Sequence, residues 1–307
     1  MPEPAGLRRR DTLGFAAGAL LMPAIAARAD ASGPGLASYY ALHMAIEDGA
    51  AWGWSGSGAP RRMRQGVLQV GVGKSRWFAL QADGVLLAWE DSPAAAQTLM
   101  RGVVRFAAGD SGWFAIDRDA VLWHSAGRAD SAQRVAEGVT AASIGDGAAY
   151  YIARDGRLFV KGLAHRGQYG DGRLAESPAF VATAADAVDV RAHTGHAIFL
   201  RRDGAVLGTG GNRYGPLSTH GLGDKADRWG RIFDGATAIA TGSRHSLAIR
   251  PDASLWAWGE GFEIAPRKIM DGVASVAAGD TATLARGADG RLWQWEAGAG
   301  PKRVELR

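Results

Sequence analysis

Short stretches of alternating apolar and polar positions, separated by turns rich in glycine and aspartate, recur along almost the whole chain. The clearest copy is the segment 242–259, in which a glycine turn, an apolar stretch and a turn at Asp252 precede Trp256 and Trp258. Alternation with a period of two is typical of β-strands that bury one face. The pattern therefore predicts an all-β fold that is built from a repeated unit.

The aspartate of this turn marks seven copies of the unit, and the positions around it keep fixed spacings. The marks are Asp48, Asp83, Asp119, Asp155, Asp203, Asp252 and Asp289. Ten residues before each mark lies an anchor position, which is glycine in five copies and is Ser38 and His193 in the other two. A further apolar stretch precedes the anchors, so each unit holds at least three short strands. Asp-Gly pairs also predict two-residue hairpin turns with a positive φ at both central positions.

Seven small sheets, none of which can bury its faces alone, predict a radial arrangement that closes on itself. Successive marks are 35, 36, 36, 48, 49 and 37 residues apart, and segments 30–48 and 290–307 together equal one ordinary unit. The sequence Pro301-Lys-Arg-Val304 also repeats Pro60-Arg-Arg-Met63 and Pro266-Arg-Lys-Ile269. We therefore expect residues 301–307 to pair with the N-terminal blade and so to close the ring.

The units resemble the repeats of the regulator of chromosome condensation family. The likeness rests on segment 242–259, on Gly-Gln-Tyr-Gly-Asp-Gly at 167–172 followed by Ser177-Pro178, and on Gly211-Asn-Arg-Tyr-Gly215. It covers roughly residues 30–307 and implies a single seven-bladed β-propeller with four-stranded blades. Most spacings are shorter than the family's usual repeat, so most interblade loops are expected to be trimmed. Exported bacterial members of this architecture include a beta-lactamase inhibitory protein, which is a binder.

The N-terminal segment 1–29 has the features of an export signal. Arginines at 8–10 precede an apolar stretch at 14–27, and Ala27-Arg28-Ala29 fits a cleavage site. The paired arginines with leucine three residues further on resemble a twin-arginine signal, and a membrane-anchoring helix is the alternative. We predict cleavage after Ala29 and a periplasmic or secreted location. No later apolar run is long enough to span a bilayer, so we expect no stable membrane insertion after cleavage.

The charge and the composition of the chain narrow the classes of function. The 307 residues carry a net charge of +4, but without residues 1–29 there remain 31 basic and 29 acidic residues. Such a balance lacks the positive surface that a phosphate backbone requires, so we expect no nucleic-acid partner. The chain has no cysteine, which excludes disulfides, thiol catalysis and cysteine metal sites.

Motifs that suggest catalysis or metal binding are incomplete. The segment 71–75 ends like a phosphate loop, but Leu68 occupies the position of the required first glycine. His193 and His196 have a spacing that could hold a metal, yet no further ligand motif accompanies them, and His196 occupies the same repeat position as His245. No G-x-S-x-G sequence occurs. We therefore expect no metal, no cofactor and no catalytic site, while a serine triad assembled across blades stays open.

Two units are about 12 residues longer than the others, and the extra residues are candidates for recognition. Long loops on a rigid scaffold often carry function, and Arg, Tyr and Trp are frequent in binding hot spots. Trp229, the one tryptophan of eleven outside the repeat frame, lies in such a unit. We expect a monomer that binds a protein partner of unknown identity through enlarged interblade loops at 163–178 and 210–232. The expected partner-binding residues are Arg166, Tyr169, Asn212, Arg213, Tyr214, His220, Arg228, Trp229 and Arg231.

Alternatives to this interpretation remain open at the level of the sequence. A hydrolase or lyase acting on envelope glycans in the central pocket would bring acids or histidines from several blades to one channel mouth, and Glu260 and Glu263 are candidate paired carboxylates. A carbohydrate-binding lectin would expose tryptophans that a simple propeller packs away. Trp229 itself could serve only to pin its own loop to the ring.

Overall fold

The computed structural model describes residues 35–126, 132–219 and 223–307. These residues form seven four-stranded antiparallel sheets, each built from four strands that follow one another along the chain. The sheets are the blades of a ring, so the predicted all-β, seven-bladed propeller is confirmed. The export signal predicted at 1–29 lies outside the described residues. Within the described part, no helix is long and apolar enough to cross a membrane.

The blades are numbered in chain order, and their strands are short. Blades 1 to 4 consist of β1 (Leu36–Tyr39), β2 (Leu42–Glu47), β3 (Ala50–Ser55) and β4 (Arg61–Gln65); β5 (Val67–Val72), β6 (Trp77–Gln81), β7 (Leu86–Trp89) and β8 (Gln97–Met100); β9 (Val103–Gly109), β10 (Gly112–Asp117), β11 (Leu122–Ala126) and β12 (Gln133–Ala136); and β13 (Val139–Ile144), β14 (Ala148–Ala153), β15 (Leu158–Gly162) and β16 (Ser177–Ala184). Blades 5 to 7 consist of β17 (Ala187–Ala192), β18 (His196–Arg201), β19 (Val206–Gly211) and β20 (Lys225–Phe233); β21 (Ala238–Thr241), β22 (His245–Ile249), β23 (Leu255–Gly259) and β24 (Arg267–Met270); and β25 (Val273–Ala278), β26 (Ala282–Gly287), β27 (Leu292–Glu296) and β28 (Lys302–Val304).

Sequential antiparallel strands place the connections of every blade on two faces of the ring. The anchor positions lie near the ends of the first strands or in the turns that follow them. These turns and the loops between third and fourth strands share one face, the anchor face. The aspartate turns join second and third strands and lie on the opposite hairpin face with the blade-to-blade connections. For example, the amide of Val103 donates to the carbonyl of Gly84 at 3.0 Å, which ties an aspartate turn to the next blade.

Only one aspartate turn has the predicted two-residue geometry. Asp48 and Gly49 both have a positive φ, of 49° and 70°. In the other six turns only the residue after the aspartate does, so the prediction of paired positive φ values was wrong for the four of them that are Asp-Gly. In five of these six, the aspartate side chain accepts a backbone N–H two residues on, as from Val85 to Asp83 at 3.1 Å; such an interaction supports a wider turn.

The anchor glycines are required because neighbouring blades converge at the axis. A Cβ added to Gly109 would lie 2.6 Å from the carbonyl oxygen of Ile144, and one added to Gly145 would lie 2.5 Å from that of His193. On the other side of the ring, a Cβ at Gly242 would lie 2.3 Å from the carbonyl oxygen of Gly279. Each of these glycines thus packs against the backbone of the next blade, which explains why a bulkier residue is absent at these three positions.

The ring closes without sharing a strand, so the predicted pairing of the C-terminal strand with the N-terminal blade is wrong. β28 pairs with β27 in its own blade, and β1 to β4 form blade 1 alone. In a ring of whole units, the two terminal segments add up to the length of one unit wherever the chain begins and ends. Their combined length therefore does not show whether the ends fall within a blade or between two blades. The repeated Pro-basic sequences mark the fourth strand of their own blades, β4, β24 and β28.

Side chains seal the junction between blades 1 and 7 instead. Arg286 binds Glu47 through Nη1 at 2.6 Å and donates from Nη2 to the carbonyl of Ile46 at 2.8 Å. The indole N–H of Trp54 donates to Oε1 of Gln294 at 2.7 Å. These contacts surround a small apolar cluster between the two blades. Six further clusters fill the other blade interfaces, so the core is seven wedges around the axis.

Candidate functional site

The extra residues of the two long units form loops inside blades, not between them. They lie at 163–176, between β15 and β16, and at 212–224, between β19 and β20. The prediction of enlarged interblade loops was therefore wrong. Each mark lies between the second and third strands of its blade. A longer spacing therefore places the extra residues after the third strand of one blade and before the second strand of the following blade, but it does not show on which face they lie. Both loops lie on the anchor face, on the adjacent blades 4 and 5.

The loop 163–176 is held by buried polar contacts. Tyr169 is fully buried, and its hydroxyl donates to the carbonyl of Gly162 at 2.9 Å and accepts the amide of Ser177 at 2.9 Å. Gln168 accepts the amide of Arg166 through Oε1 at 2.9 Å. The hydroxyl of Tyr150 donates to the carbonyl of Gln168 at 2.8 Å. Tyr169 therefore supports the loop from inside, while Arg166 is exposed at its surface.

The loop 212–224 is fixed both to itself and to blade 6. Asn212 is buried, and its Oδ1 accepts the amide of Leu217 at 2.9 Å. The carbonyl of Pro216 accepts the indole N–H of Trp258 at 2.7 Å and the hydroxyl of Ser246 at 2.9 Å. Arg213 and Tyr214 are left exposed at the tip of this rigid support.

These loops and the turns of the anchor face enclose a pocket of about 530 Å³. Its cationic side chains come from blades 4, 5 and 6, and its carboxylates come from blades 5 and 7. Among the residues that line it are Tyr40, Arg166, Arg213, Tyr214, Asp224, Lys225, Ser243, Arg244 and Asp280. The pocket thus joins the two enlarged loops to the mouth of the central channel.

One arginine of the pocket is bound in an ion pair, and two other arginines are not. Arg244 binds Glu260 with Nη1–Oε2 at 3.0 Å, and its guanidinium lies over the ring of Tyr214 at 4.6 Å. The hydrogen bond that Arg244 donates to Glu260 raises the pKa of Arg244 above its ordinary value. Arg166 and Arg213 have no carboxylate within ion-pair distance among the described residues. Arg213 stacks loosely on Tyr214, at 5.8 Å from the ring.

A stack of two rings occupies the anchor end of the central channel. The channel is lined by the first strands of all seven blades and encloses about 170 Å³. Tyr39 of blade 1 and His193 of blade 5, on opposite sides of the axis, stack with ring centroids 4.4 Å apart and an interplanar angle of 20°. The repeat pattern gave no reason for a histidine at anchor position 193. In the structure its ring fills the channel, whereas the anchor glycines pack against the backbone of the next blade.

Burial keeps the imidazoles near this mouth neutral. Burial, and to a smaller extent the neighbouring His245, lowers the pKa of His193 to about 3. Burial likewise lowers the pKa of His196 to about 3 and that of His245 to about 4. Nε2 of His196 contacts the hydroxyl of Ser246 at 3.3 Å, and Nε2 of His245 contacts that of Thr283 at 3.1 Å. The contacts are those of packing histidines, and the described residues contain no group of three metal ligands.

The geometry does not assemble a serine triad around His193. The hydroxyl of Ser243 lies 3.1 Å from Nδ1 of His193, but this nitrogen already accepts the amide of Thr194 at 2.9 Å. Nε2 of His193 has no hydrogen-bond partner, so no carboxylate orients the ring. A neutral imidazole with a pKa near 3 is also a poor general base at neutral pH.

Three further expected site residues lie on the outer strand of blade 5 rather than at the pocket. Trp229 is in β20 and not in a loop, so that placement was wrong; its ring meets Phe199 edge-on at 4.8 Å. Its indole N–H donates to the hydroxyl of Thr183 in blade 4 at 3.4 Å. Arg228 reaches the carbonyl of Asp171 at 3.4 Å, and Arg231 pairs with Asp234. The contacts of Trp229 and Arg228 join β20 to blade 4. His220 lies outside the described residues.

Of the nine expected residues, the structure brings three together at the pocket: Arg166, Arg213 and Tyr214. Sequence reasoning missed Arg244, Lys225 and Asp280. Arg244 and Asp280 come two and one positions after their anchors. Because every anchor turn lies at the channel mouth, reading the residues after each anchor would have found both.

Comparisons with known proteins agree with the fold. No protein-family model matches the sequence, and no curated protein matches it. Prp20p of Saccharomyces cerevisiae, a protein described with its binding properties to Gsp1p and histones, is similar at 16% identity over 89% of this chain and 82% of its own, with a TM-score of 0.68. The CRINKLY WD40 ectodomain of Arabidopsis thaliana ACR4 is similar at 15% identity over 89% and 98%, with a TM-score of 0.60.

Human WBSCR16 is similar at 14% identity over 88% of this chain and 82% of its own, with a TM-score of 0.56. The chain shares the fold of these propellers. Prp20p is also known as yeast RCC1, so the resemblance read from the repeats agrees with the fold that the structure shows.

Proposed function

We propose that this chain is an exported, non-catalytic protein-binding propeller whose partner docks on the anchor face. The observation that carries the proposal is the group of exposed arginine and tyrosine side chains that two rigid loops hold around the pocket. Arg and Tyr are enriched in binding hot spots, and loops that are already ordered lose little entropy on binding. Prp20p, which shares the fold, binds protein partners, and this supports the same class of function here.

Apolar side chains extend the proposed surface next to the pocket. Tyr214 is 40% exposed and Ile264 of blade 6 is 59% exposed. The side chain of Ile264 lies against the backbone of Gly215, 3.3 Å from where a Cβ would be. Tyr214 and Ile264 therefore flank one turn of the loop and form an apolar pair beside the arginines. The lectin alternative lacks its expected feature, because each of the eleven tryptophans is buried or half-buried.

The test is quantitative affinity capture by the mature protein from its own envelope fraction. Tyr214→Ala/Ile264→Ala removes the apolar pair. Leu68→Ala/Val104→Ala is the matched control, because these two side chains are 57% and 53% exposed at the hairpin face. A partner that wild type and control enrich, and that the anchor-face variant loses at least tenfold, supports the proposal. Equal enrichment by both variants contradicts it.

Export is a separate part of the proposal and has its own test. It is supported by the arginines, the apolar stretch and the A-x-A sequence within 1–29. Arg9→Lys/Arg10→Lys should leave the full-length chain in the cytoplasm of the native cell, whereas Arg28→Lys should not. Normal export of the paired variant would exclude the twin-arginine route.

A glycan-active enzyme is a second candidate, because the anchor turns of blades 3, 4 and 7 each carry a carboxylate at the channel mouth. Asp110, Asp146 and Asp280 each follow an anchor directly. Burial raises the pKa of Asp110, which Lys74 opposes, and a raised carboxyl pKa is the property of a general acid. Release of reducing ends from envelope glycans by wild type, and its loss in Asp110→Asn, would favour this function. No release by wild type would exclude it.

A further inference from the structure

The pocket on the anchor face has more cationic than anionic side chains, so the protein does not neutralise all of its positive charge. Its cations are Arg166, Arg213, Lys225 and Arg244, and its carboxylates are Asp224 and Asp280. Glu260 stands behind Arg244 and neutralises it. A charge of this kind on a rigid, concave surface attracts and orients an anionic group.

Two of the cations are held as part of the wall. The guanidinium of Arg244 is fixed between Glu260 and the face of Tyr214. Lys225 directs its ammonium group to the carbonyl of His165 at 3.5 Å. Their partners restrict both groups, so they shape the pocket and contribute field rather than a free hydrogen-bonding edge.

The other two cations keep their hydrogen-bonding edges available. Arg166 and Arg213 are exposed, and no carboxylate of the described residues lies within ion-pair distance of either. Arg166 packs its guanidinium against the backbone of Gly195, where a Cβ would lie 2.6 Å from Nη1. A guanidinium positioned in this way can bind a carboxylate through two parallel hydrogen bonds.

The shape of the pocket fits a segment of a protein rather than a ligand inside the channel. Tyr39 and His193 fill the anchor end of the channel below it. The pocket opens toward the anchor face, with Tyr214 and Ile264 at its side. An inserted side chain can therefore reach the two arginines while its backbone and neighbours cover the apolar pair.

We propose, on the basis of the protein-binding function above, that the pocket receives an acidic segment of the partner, and that Arg166 and Arg213 bind its glutamate or aspartate carboxylates. Tyr214 and Arg244 form the wall that positions Arg213. The carboxylate supplies charge and direction, and the apolar pair supplies buried area.

The experiment uses a defined probe, so that it does not depend on knowing the partner. A fluorescent Gly-Ser peptide with four consecutive glutamates, and the same peptide with four glutamines, are titrated into the mature protein at low ionic strength. The glutamate peptide should bind at least tenfold more tightly than the glutamine peptide, and should lose at least tenfold in affinity with Arg166→Gln/Arg213→Gln. Arg61→Gln/Arg101→Gln, which removes the same charge from exposed sites elsewhere, should bind like wild type.

Three results would overturn the proposal. Equal binding of the two peptides would show that carboxylates are not recognised. Equal loss in both arginine variants would show a general charge effect. If the glutamate peptide does not bind, and inorganic phosphate binds at millimolar concentration, the pocket is a phosphate site instead. If capture depends on Tyr214 and Ile264 while the peptide results are negative, the acidic-segment inference fails and the protein-binding function stands.

Discussion

The phenol ring of Tyr39 lies on the imidazole of His193 across the channel axis, with centroids 4.4 Å apart. Tyr39 is 4% exposed, so the stack buries a large side chain from blade 1 against blade 5. Tyr40, the next residue of blade 1, also meets His193, edge-on with ring centroids 6.4 Å apart. The stack therefore both plugs the channel and ties together blades that are not neighbours.

Removal of this ring should destabilise the whole propeller. Tyr39→Ala leaves a cavity at the axis and should lower the free energy of unfolding by about 3 kcal/mol, the usual range for a large buried aromatic. Tyr39→Phe keeps the stacked ring and should stay within about 1 kcal/mol of wild type. Urea denaturation followed by tryptophan fluorescence measures both. A loss below about 1 kcal/mol in Tyr39→Ala would show that the stack is incidental.

The buried histidines predict a loss of stability in mild acid. The pKa values of His196 and His193 fall to about 3, and those of His43 and His245 to about 4, because burial disfavours their charged forms. The unfolded chain takes up protons below its ordinary histidine pKa near 6.5, while the native protein does not. Stability should therefore fall as the pH drops from about 6.5 toward 4.5, by about 1.4 kcal/mol per unit for each such histidine.

His196→Gln should remove one histidine from this dependence. The slope of unfolding free energy against pH, measured by urea denaturation at pH 7.0, 6.0 and 5.0, should be smaller than in wild type by about one proton. His165→Gln is the control, because His165 is exposed in the loop 163–176. An unchanged slope in His196→Gln would mean that this ring is already protonated or accessible in the folded state.

Two aspartate turns carry a strained alanine that can be relieved. Ala120 and Ala253 have φ values of 60° and 61°, at the position where five other turns have glycine. Left-handed backbone costs an L-residue about 1 kcal/mol relative to glycine. Ala120→Gly and Ala253→Gly should each raise the unfolding free energy by about 0.5–1 kcal/mol. Ala94→Gly, at an exposed residue without a positive φ, should give no gain. A loss in the two turn variants would contradict the turn geometry.

The ring junction predicts that Arg286 is more important than its exposed neighbours. It joins Glu47 and the carbonyl of Ile46 across the gap between blades 7 and 1. Arg286→Met should lower stability by about 2 kcal/mol, because it leaves charged and polar partners unpaired at a half-buried site. Arg291→Met removes an exposed arginine that pairs with Asp289 and should cost under about 0.5 kcal/mol. Equal midpoint temperatures of thermal unfolding for the two variants would show that the junction does not depend on this contact.

Much of the fold could be predicted from the sequence because local chemistry repeats. The seven aspartate turns and the anchor glycines mark positions where backbone geometry restricts the residue, so their spacing reports the blades directly. Closure was not predictable in the same way. Whether residues 302–304 pair with β27 or with blade 1 depends on where the ring is cut, and the one local signal was the Pro-basic sequence, which precedes or begins the fourth strand of its own blade at β4 and β24. The closing contacts, such as those of Arg286 and Gln294, become visible only when the two ends are adjacent.

The candidate site was only partly predictable for a related reason. Composition singled out Arg166, Arg213 and Tyr214, but it also singled out Tyr169 and Asn212, which are buried and support the loops. A buried tyrosine and an exposed one in a glycine-rich loop look alike in a sequence. Trp229 broke the repeat frame because it joins β20 to blade 4, a packing role that its position in the sequence did not reveal.

Hydrogen exchange of the captured complex tests protein binding at the anchor face most directly. Comparison of the free protein with the partner-bound protein by mass spectrometry should show slower exchange in the loops 163–176 and 212–219 and in the blade 6 loop at 260–266. The aspartate turns of the hairpin face should exchange at unchanged rates. Protection confined to those turns or to the outer strands, with none in the three loops, would contradict the proposed docking surface.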